Sequence, residues 1–120
     1  MFIDALAPAF ADERGTITDL VENDHYAVTV VKSQAGSIRG NHVHKETEQW
    51  TYVLSGKLLV STPQASVEVD AGRLVFNPRG EAHAWRALED TVCIVWVHGP
   101  RAGSNYESDT YRLDEPLIAA

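Results

Sequence analysis

The sequence predicts an all-β protein built as a sandwich or barrel of short strands, and two observations support this fold class. Segments rich in β-branched and aromatic residues follow one another along the chain, each closed by glycine or proline. Helical periodicity is weak, so only single short turns of helix are predicted, within residues 3–13 and 114–120. The predicted strand segments are residues 25–33, 49–62, 65–72, 73–80 and 89–100.

For two of these segments, the sequence predicts a further structural feature: a turn in one and complete burial in the other. Segment 49–62 contains Ser55 and Gly56, which are predicted to form the turn between two consecutive strands. Segment 89–100 is almost continuously apolar, which predicts a strand buried on both of its faces. Cys93 lies inside this segment and is the single cysteine of the chain, so we expect a buried, unreactive thiol and no internal disulfide.

Length and charge restrict the classes of function. A chain of 120 residues predicts one domain, residues 1–120. The formal net charge is −7, so the surface repels phosphate backbones and nucleic acid is not an expected partner. Neither a secretory leader pattern nor an apolar stretch of about 18 residues is present, so the sequence predicts a cytoplasmic protein with no membrane span.

Two histidines separated by one residue, His42 and His44, are the first candidate for a functional site. Residues two apart on a strand point to the same face, so both imidazoles are predicted to face the same side. If that side is the interior of a barrel, the two rings can converge on one metal ion at about 2.0–2.2 Å. Two histidines at this spacing also occur as ordinary surface polarity, and the pair alone does not decide between these interpretations.

The spacing of glycines, histidines and a proline around this pair resembles the two motifs of the cupin superfamily. The first motif is a glycine, five residues, His-x-His, and a second glycine after the strand that follows; here these are Gly36, His42, His44 and Gly56. The second motif is a glycine, five residues, Pro-x-Gly, two residues and a histidine; here these are Gly72, Pro78, Gly80 and His83. The resemblance implies a single-domain cupin, which is a double-stranded β-helix or jelly-roll barrel.

The resemblance also implies a metal site, and the sequence departs from the motifs at two positions. Ala87 stands where the second motif ends in asparagine. For the glutamate of the first motif, Glu48 has the right spacing from His44 alone, whereas Gln49 has the right spacing from both His44 and Gly56. Because counting back from the turn decides which side chains point inward, we favour Gln49. The resemblance therefore predicts one divalent metal ion, Zn, Ni, Fe or Mn, with the ligands His42, His44, Gln49 and His83.

Three residues near the motifs are candidate substrate-binding residues. Arg39 and Lys45 flank the His-x-His pair, and either can hold a carboxylate or phosphate; otherwise they are solvated loop charges. Trp85 follows His83 by two residues and is predicted to share its face, as a stacking platform for a sugar ring or as a core aromatic. A neutral glutamine ligand would leave the ion its full charge, which favours a substrate with a carboxylate or ketone group.

Two closer resemblances within the superfamily both imply a carbohydrate as the small-molecule substrate. The segments "DERGTITDL" and "SIRGNHVHK" resemble cupins of cell-surface carbohydrate synthesis, including nucleotide-sugar epimerases and ketoisomerases. In the ketoisomerases the histidines act as metal-free acid/base groups, a role that His42, His44 and His83 would then have. The segments "EQWTYVLSGKL" and "RALEDTV" resemble cupins that convert unsaturated uronates with two His, a Gln and a third His as metal ligands.

These resemblances predict an isomerase or epimerase, and two other functions stay open. One is a non-enzymatic cupin that binds or senses a small molecule, and the other is a metal-dependent dioxygenase. Cupin barrels commonly pair, and Trp50 and Tyr52 are predicted to lie on the outward face of their strand. Exposed aromatic faces of this kind mark protein contacts, so we expect a homodimer.

Overall fold

The computed structural model describes residues 1–100 and 107–120, and within these ranges it contains strands and no helix. The all-β prediction is confirmed. The short helical turns predicted within residues 3–13 and 114–120 are wrong, since the first region contains strand β1 and the second is irregular. The described residues include no helix able to span a membrane. The strands are β1 (Phe10–Asp12), β2 (Gly15–Glu22), β3 (Tyr26–Ser33), β4 (Ile38–Val43), β5 (Glu48–Ser55), β6 (Lys57–Ser61), β7 (Ser66–Asp70), β8 (Leu74–Asn77), β9 (His83–Ala87), β10 (Thr91–His98) and β11 (Tyr111–Arg112).

The strands form two antiparallel sheets that face each other, as in a jelly-roll barrel. The first sheet has the order β1-β2-β3-β10-β5-β8 and the second has the order β11-β4-β9-β6-β7. Apolar side chains from both sheets pack between them and form the hydrophobic core. Among the described residues this core comprises Ala27, Val31, Val53, Leu58, Val60, Val69, Trp85, Ala87, Cys93, Val95 and Val97.

Strand β5 has the orientation that the sequence predicts. Gln49, Thr51 and Val53 face inward and are at most 7% exposed, whereas Tyr52 faces outward and is 39% exposed. The strand ends at the predicted turn, where Gly56 has a φ of +91°, a left-handed conformation that glycine adopts without steric cost. In the register of β5 against β10, Gln49 is opposite Val97, and both side chains face the barrel interior.

The prediction that strand β10 is buried on both faces is wrong. Cys93 and Val95 face the core, while Trp96 is 46% exposed on the opposite face. On this outer face, Trp96 packs against aromatic side chains of the two neighbouring strands. The ring of Trp96 lies 5.2 Å from that of Trp50 and 6.4 Å from that of Tyr26, measured between centroids. The sequence of β10 is almost continuously apolar because one face of the strand lies in the core and the other belongs to an aromatic patch on the surface.

Candidate metal centre

Three imidazole rings meet on the inner face of the second sheet. His42 on β4 and His83 on β9 are cross-strand partners, and His44 follows directly after β4. The Nε2 atoms of His42 and His83 are 3.1 Å apart, and one ring nitrogen from each of the three histidines lies within 4.8 Å of the others. His44 and His83 are buried, and His42 is partly exposed. The three motif histidines are therefore brought together as the sequence predicts.

Carbonyl groups hold two of these rings in a defined tautomer. Nδ1 of His44 lies 3.0 Å from the main-chain oxygen of Asp109, and Nδ1 of His83 lies 3.2 Å from that of Glu81. A carbonyl oxygen only accepts hydrogen bonds, so Nδ1 donates in each ring and the lone pair of the neutral imidazole is on Nε2. This is the arrangement in which histidines bind a metal ion through Nε2.

The spacing of the His42 and His83 rings fits two ligands of one divalent ion. Two nitrogen ligands at about 2.1 Å from a tetrahedral or octahedral ion are about 3.0–3.4 Å apart. The separation of 3.1 Å between the Nε2 atoms of His42 and His83 lies within this range. The donor set of three imidazoles is one that zinc, nickel, iron and manganese accept, so it does not select among these metals.

Gln49 is positioned to complete the site, while Glu48 is not. Gln49 is buried and lines the same cavity as His42 and His83. Its amide nitrogen donates to Oγ1 of Thr51 at 3.4 Å, which leaves the lone pairs of the carbonyl oxygen for another partner. Glu48 faces outward and pairs with Arg79 at 3.2 Å and with His98 at 3.2 Å. The ligand role of Gln49 remains a prediction.

A β-bulge in β4 brings Arg39 to the same side as the histidines, which sequence reasoning missed. The register between β4 and β9 shifts between Gly40 and His42, so Asn41 is an extra residue, and its φ is +58°. Three positions separate Arg39 from His42, yet both line one cavity, because the extra residue reverses the inward alternation. The adjacent Gly40 and Asn41, two residue types that tolerate positive φ, were the available signal.

Gly40 also allows β4 and β9 to approach closely beside the site. Its φ is +92°, and a Cβ atom there would lie 2.9 Å from both the Cα of Ala84 and the main-chain oxygen of His83. Any larger residue would push apart the two strands that carry His42 and His83. The geometry of the histidine cluster therefore depends on a residue that carries no chemistry of its own.

The cluster opens into a cavity of about 360 Å³ between the two sheets. Its lining combines apolar side chains with three arginines and two acidic residues, Asp19 and Glu107. A cavity of this size and mixed lining suits one small polar ligand. The apolar side chains include Ile17, Ala27, Val31, Val95 and Val97, and the arginines are Arg14, Arg39 and Arg112.

Arg39 is the half-buried arginine of this cavity. Its Nε donates to Oγ of Ser33 at 3.0 Å, and its Nη2 donates to the main-chain oxygen of Lys32 at 3.4 Å. Burial, and secondarily the nearby charge of Arg14, lower the pKa of the Arg39 guanidinium below its ordinary value. Arginine nevertheless stays protonated at neutral pH, so Arg39 places a positive charge in the cavity wall.

The other two predicted substrate-binding residues lie in different surroundings. Trp85 is 8% exposed, belongs to the core and also lines the cavity, so the core and cavity interpretations both describe it. Lys45 is exposed, and its Nζ lies 4.0 Å from the centre of the Tyr111 ring, outside the residues that line the cavity. Its predicted role in substrate binding remains a prediction.

Comparison with known families agrees with this fold. The model of the cupin domain matches residues 29–98, which is more than half of the chain. The matched region contains β4, β5 and β9, and with them all four predicted metal ligands. The chain therefore belongs to the cupin family.

Solved structures similar to this chain include carbohydrate-related and carboxylate-related proteins. CapF with the inhibitor 3-isopropenyl-tropolone is 28% identical with a TM-score of 0.77, covering 95% of this chain and 36% of CapF. A second CapF, described as a capsular polysaccharide assembling protein of Staphylococcus aureus, is 26% identical with a TM-score of 0.77, covering 95% and 33%. This chain thus spans about a third of the length of CapF.

Two further structures extend the comparison. A mutant of oxalate decarboxylase OxdC from Bacillus subtilis is 25% identical with a TM-score of 0.71, covering 90% of this chain and 30% of that one. KdgF from Halomonas sp. is 20% identical with a TM-score of 0.71, covering 82% and 87%, and at this identity it shows the fold alone. A sequence search of curated proteins found no match.

Proposed function

We propose that this cupin is a metal-dependent enzyme that isomerises or epimerises a small carbohydrate bearing a ketone or carboxylate group. The observation that carries the proposal is that three converging imidazoles and the half-buried Arg39 line or adjoin one cavity of about 360 Å³. A divalent ion held by His42, His44 and His83 supplies Lewis acidity toward a carbonyl or carboxylate oxygen when it is bound. Arg39 supplies a planar pair of donors for a carboxylate.

The reaction needs proton movement and no oxidant. A C–H bond beside the carbonyl breaks, the proton passes to a base, and the electron pair moves onto the carbonyl oxygen. Return of the proton to the opposite face inverts the carbon, and a proton shift between neighbouring carbon and oxygen atoms moves the carbonyl group. Arg39 orients the anionic end of the sugar, and the apolar part of the cavity lining lowers the local dielectric constant, which strengthens each polar contact.

The similar structures support a carbohydrate substrate. CapF is described as assembling capsular polysaccharide, and this chain corresponds to about a third of it. The CapF inhibitor is a tropolone, a molecule with a ketone oxygen beside a hydroxyl oxygen, which is a chelating pattern for a divalent metal. Oxalate decarboxylase adds a cupin named for a carboxylate substrate. Each comparison describes the similar protein and motivates the substrates to be tried here.

A metal-free acid/base enzyme is the second candidate. The Nε2 atoms of His42 and His83 are 3.1 Å apart, which is also the length of a hydrogen bond between two imidazoles. In a metal-free enzyme, one of these two imidazoles would take a proton from the sugar, and the other would share the resulting positive charge through the hydrogen bond. A ligand-binding cupin without turnover and a metal-dependent dioxygenase are separated from both candidates by assays for product and for oxygen consumption.

Metal analysis of tag-free protein purified without chelator tests the proposal. We expect about one divalent ion per chain by plasma mass spectrometry, strong loss of metal in His83→Ala, and no loss in His25→Ala. His25 is exposed and lies outside the cavity, so it controls for the loss of any histidine. Protein that holds no metal and takes up none on reconstitution would reject the metal-dependent enzyme and favour the acid/base candidate.

We also propose that two copies pair through the outer face of the first sheet. Trp50 stacks between Phe76 and Trp96, with ring centroids 4.9 Å and 5.2 Å away, and Tyr52 lies on the same face. Two chains that each carry a net charge of −7 repel each other, so a self-contact is favoured where the surface is mainly aromatic, as it is around Trp50, Phe76 and Trp96. A two-fold axis would place the same aromatic patch on both sides of the interface.

A further inference from the structure

The end of the chain packs across the strand that carries the metal-site histidines. Residues 107–120, here called the C-terminal strap, include β11, whose Tyr111 and Arg112 pair with Val43 and His42 of β4. The main-chain nitrogen of Leu113 continues this pairing by donating to the oxygen of Asn41 at 3.0 Å. The strap lies outside residues 29–98, the part of the chain that the cupin domain model matches.

The bulge residue Asn41 binds the far end of the strap. Its Oδ1 accepts hydrogen bonds from the main-chain nitrogens of Leu117 at 2.9 Å and Ile118 at 3.2 Å. Its Nδ2 donates to the main-chain oxygen of Ile118 at 3.0 Å, and the side chain of Ile118 is buried. The same bulge that turns the histidines inward therefore also anchors the strap.

The near end of the strap is fixed by Asp109. Its carboxylate accepts hydrogen bonds from the main-chain nitrogens of Lys45 and Glu46, each at 2.9 Å, and from the hydroxyl of Thr47 at 2.7 Å. Its main-chain oxygen accepts the Nδ1–H of His44 at 3.0 Å. Asp109 has a φ of +53°, a conformation in which its oxygen and its carboxylate both face the segment 44–47.

We propose that Asp109 is a positioning residue for the metal site. The carboxylate of Asp109 binds residues 45–47 and thereby holds the main chain of Asp109 in place. The main-chain carbonyl of Asp109 then orients the His44 ring and keeps its proton on Nδ1. His44 then presents the lone pair of Nε2 to the ion. Contacts of this kind behind a metal-binding histidine are worth about 10–100-fold in metal affinity. The inference rests on the proposed metal site, and it assigns to the strap a role in metal binding.

The first experiment observes His44 in the metal-free protein, so it does not depend on metal binding. Nitrogen-15 NMR of the imidazole side chains at pH 8 distinguishes the Nδ1–H from the Nε2–H tautomer. We expect His44 to be in the Nδ1–H form, and we expect Asp109→Asn to give a mixture of both tautomers. An Nε2–H tautomer in the unaltered protein, or an unchanged tautomer in Asp109→Asn, would overturn the proposal.

The second experiment measures zinc affinity by competition with a chromophoric chelator. Asparagine accepts the positive φ of residue 109, but it replaces one acceptor oxygen with an NH₂ donor that faces other donors. We expect Asp109→Asn to weaken zinc binding by about tenfold and Thr47→Val, which removes one of the three carboxylate contacts, to weaken it about threefold. Asp114→Ala is the matched control, because Asp114 is an exposed acidic residue of the same strap.

The outcomes separate the two proposals. A loss of affinity below about threefold in Asp109→Asn, or an equal loss in Asp114→Ala, would reject the positioning role. If Asp109→Asn does not fold, Thr47→Val supplies the same comparison through a single hydroxyl group. If the unaltered protein binds no zinc, the proposed metal-dependent function fails, whereas the tautomer of His44 still decides whether Asp109 orients the ring.

Discussion

The carboxylate of Glu48 lies 3.2 Å from the guanidinium of Arg79 on the outside of the barrel, while the next residue, Gln49, is buried at the cavity wall. Glu48 and Gln49 are the two candidates for the fourth metal ligand, and only Gln49 is oriented toward the cavity. We expect Gln49→Ala to weaken zinc binding by about tenfold or more, because it removes a candidate ligand, and Glu48→Ala to leave zinc affinity unchanged.

Chelator competition measures both variants, and Gln49→Glu adds a third. A carboxylate at this position would add negative charge beside the ion, so we expect tighter binding than in the unaltered protein. Full zinc affinity in Gln49→Ala, together with a loss in Glu48→Ala, would show that β5 presents the opposite face to the ion.

Arg39 is expected to select anionic sugars. Replacement by glutamine keeps much of the side-chain volume and the polarity but removes the positive charge and the bidentate fork. We expect the affinity for galacturonate to fall about tenfold in Arg39→Gln, and the affinity for neutral galactose to stay the same. Calorimetric titration of zinc-loaded protein with both sugars measures this difference. Equal losses for the two sugars would mean that Arg39 supports the fold rather than recognising a carboxylate.

The aromatic outer face is expected to hold two copies together. Trp96 is 46% exposed in the single chain, and Trp96→Glu would place a buried charge in the middle of the proposed interface. Sedimentation velocity at micromolar concentration should show a dimer for the unaltered protein and a monomer for the variant. Val67→Glu is the control, because Val67 is 49% exposed on β7 of the other sheet. A monomeric unaltered protein would contradict the proposed pairing.

Cys93 is expected to be unreactive in the folded protein. Its side chain is 1% exposed, and burial raises the pKa of the thiol from 9.0 to about 12, an effect that the charge of Arg39 reduces in part. The thiolate is the reactive form, so Ellman's reagent at pH 8 should label the protein only after denaturation. Rapid labelling under native conditions would show that the strand opens.

The same shift makes the contribution of Cys93 to stability depend on pH. The folded protein keeps the proton at a pH where the unfolded chain releases it, so the free energy of unfolding falls as pH rises from about 9 toward 12. Below pH 9 this contribution is fully present. Urea unfolding at several pH values should show a steeper fall in the unaltered protein than in Cys93→Ala, and parallel curves would contradict the raised pKa.

The sequence predicted the parts of the site that depend on local alternation. The inward direction of Gln49, the turn at Gly56 and the meeting of the motif histidines follow from spacing within strands and from the resemblance to cupins. The burial of β10 was predicted incorrectly because hydrophobicity does not show which apolar face a sheet leaves uncovered. Trp96 and Val95 are both apolar, yet only Val95 lies in the core.

The contacts between distant segments could not be predicted in this way. Asp109 lies 65 residues beyond His44, and nothing in the composition of the strap indicates that its main chain reaches an imidazole. Gly40 and Asn41 indicate that β4 is irregular, but they do not indicate that the amide of Asn41 binds the main chain of Leu117 and Ile118. Both contacts depend on the path of the whole chain, which short-range periodicity does not contain.

The extra residue in β4 has a consequence for the end of the chain. If Asn41 were deleted, strict alternation would return, and Arg39 and His42, then two positions apart, would still face the same side of the sheet. A chain shortened in this way would keep the guanidinium and the imidazole in one pocket, but it would lose the amide that binds the main chain of Leu117 and Ile118. In relatives of this protein, an asparagine inserted between the arginine and the first histidine is therefore a sequence sign of a C-terminal segment that is anchored across β4.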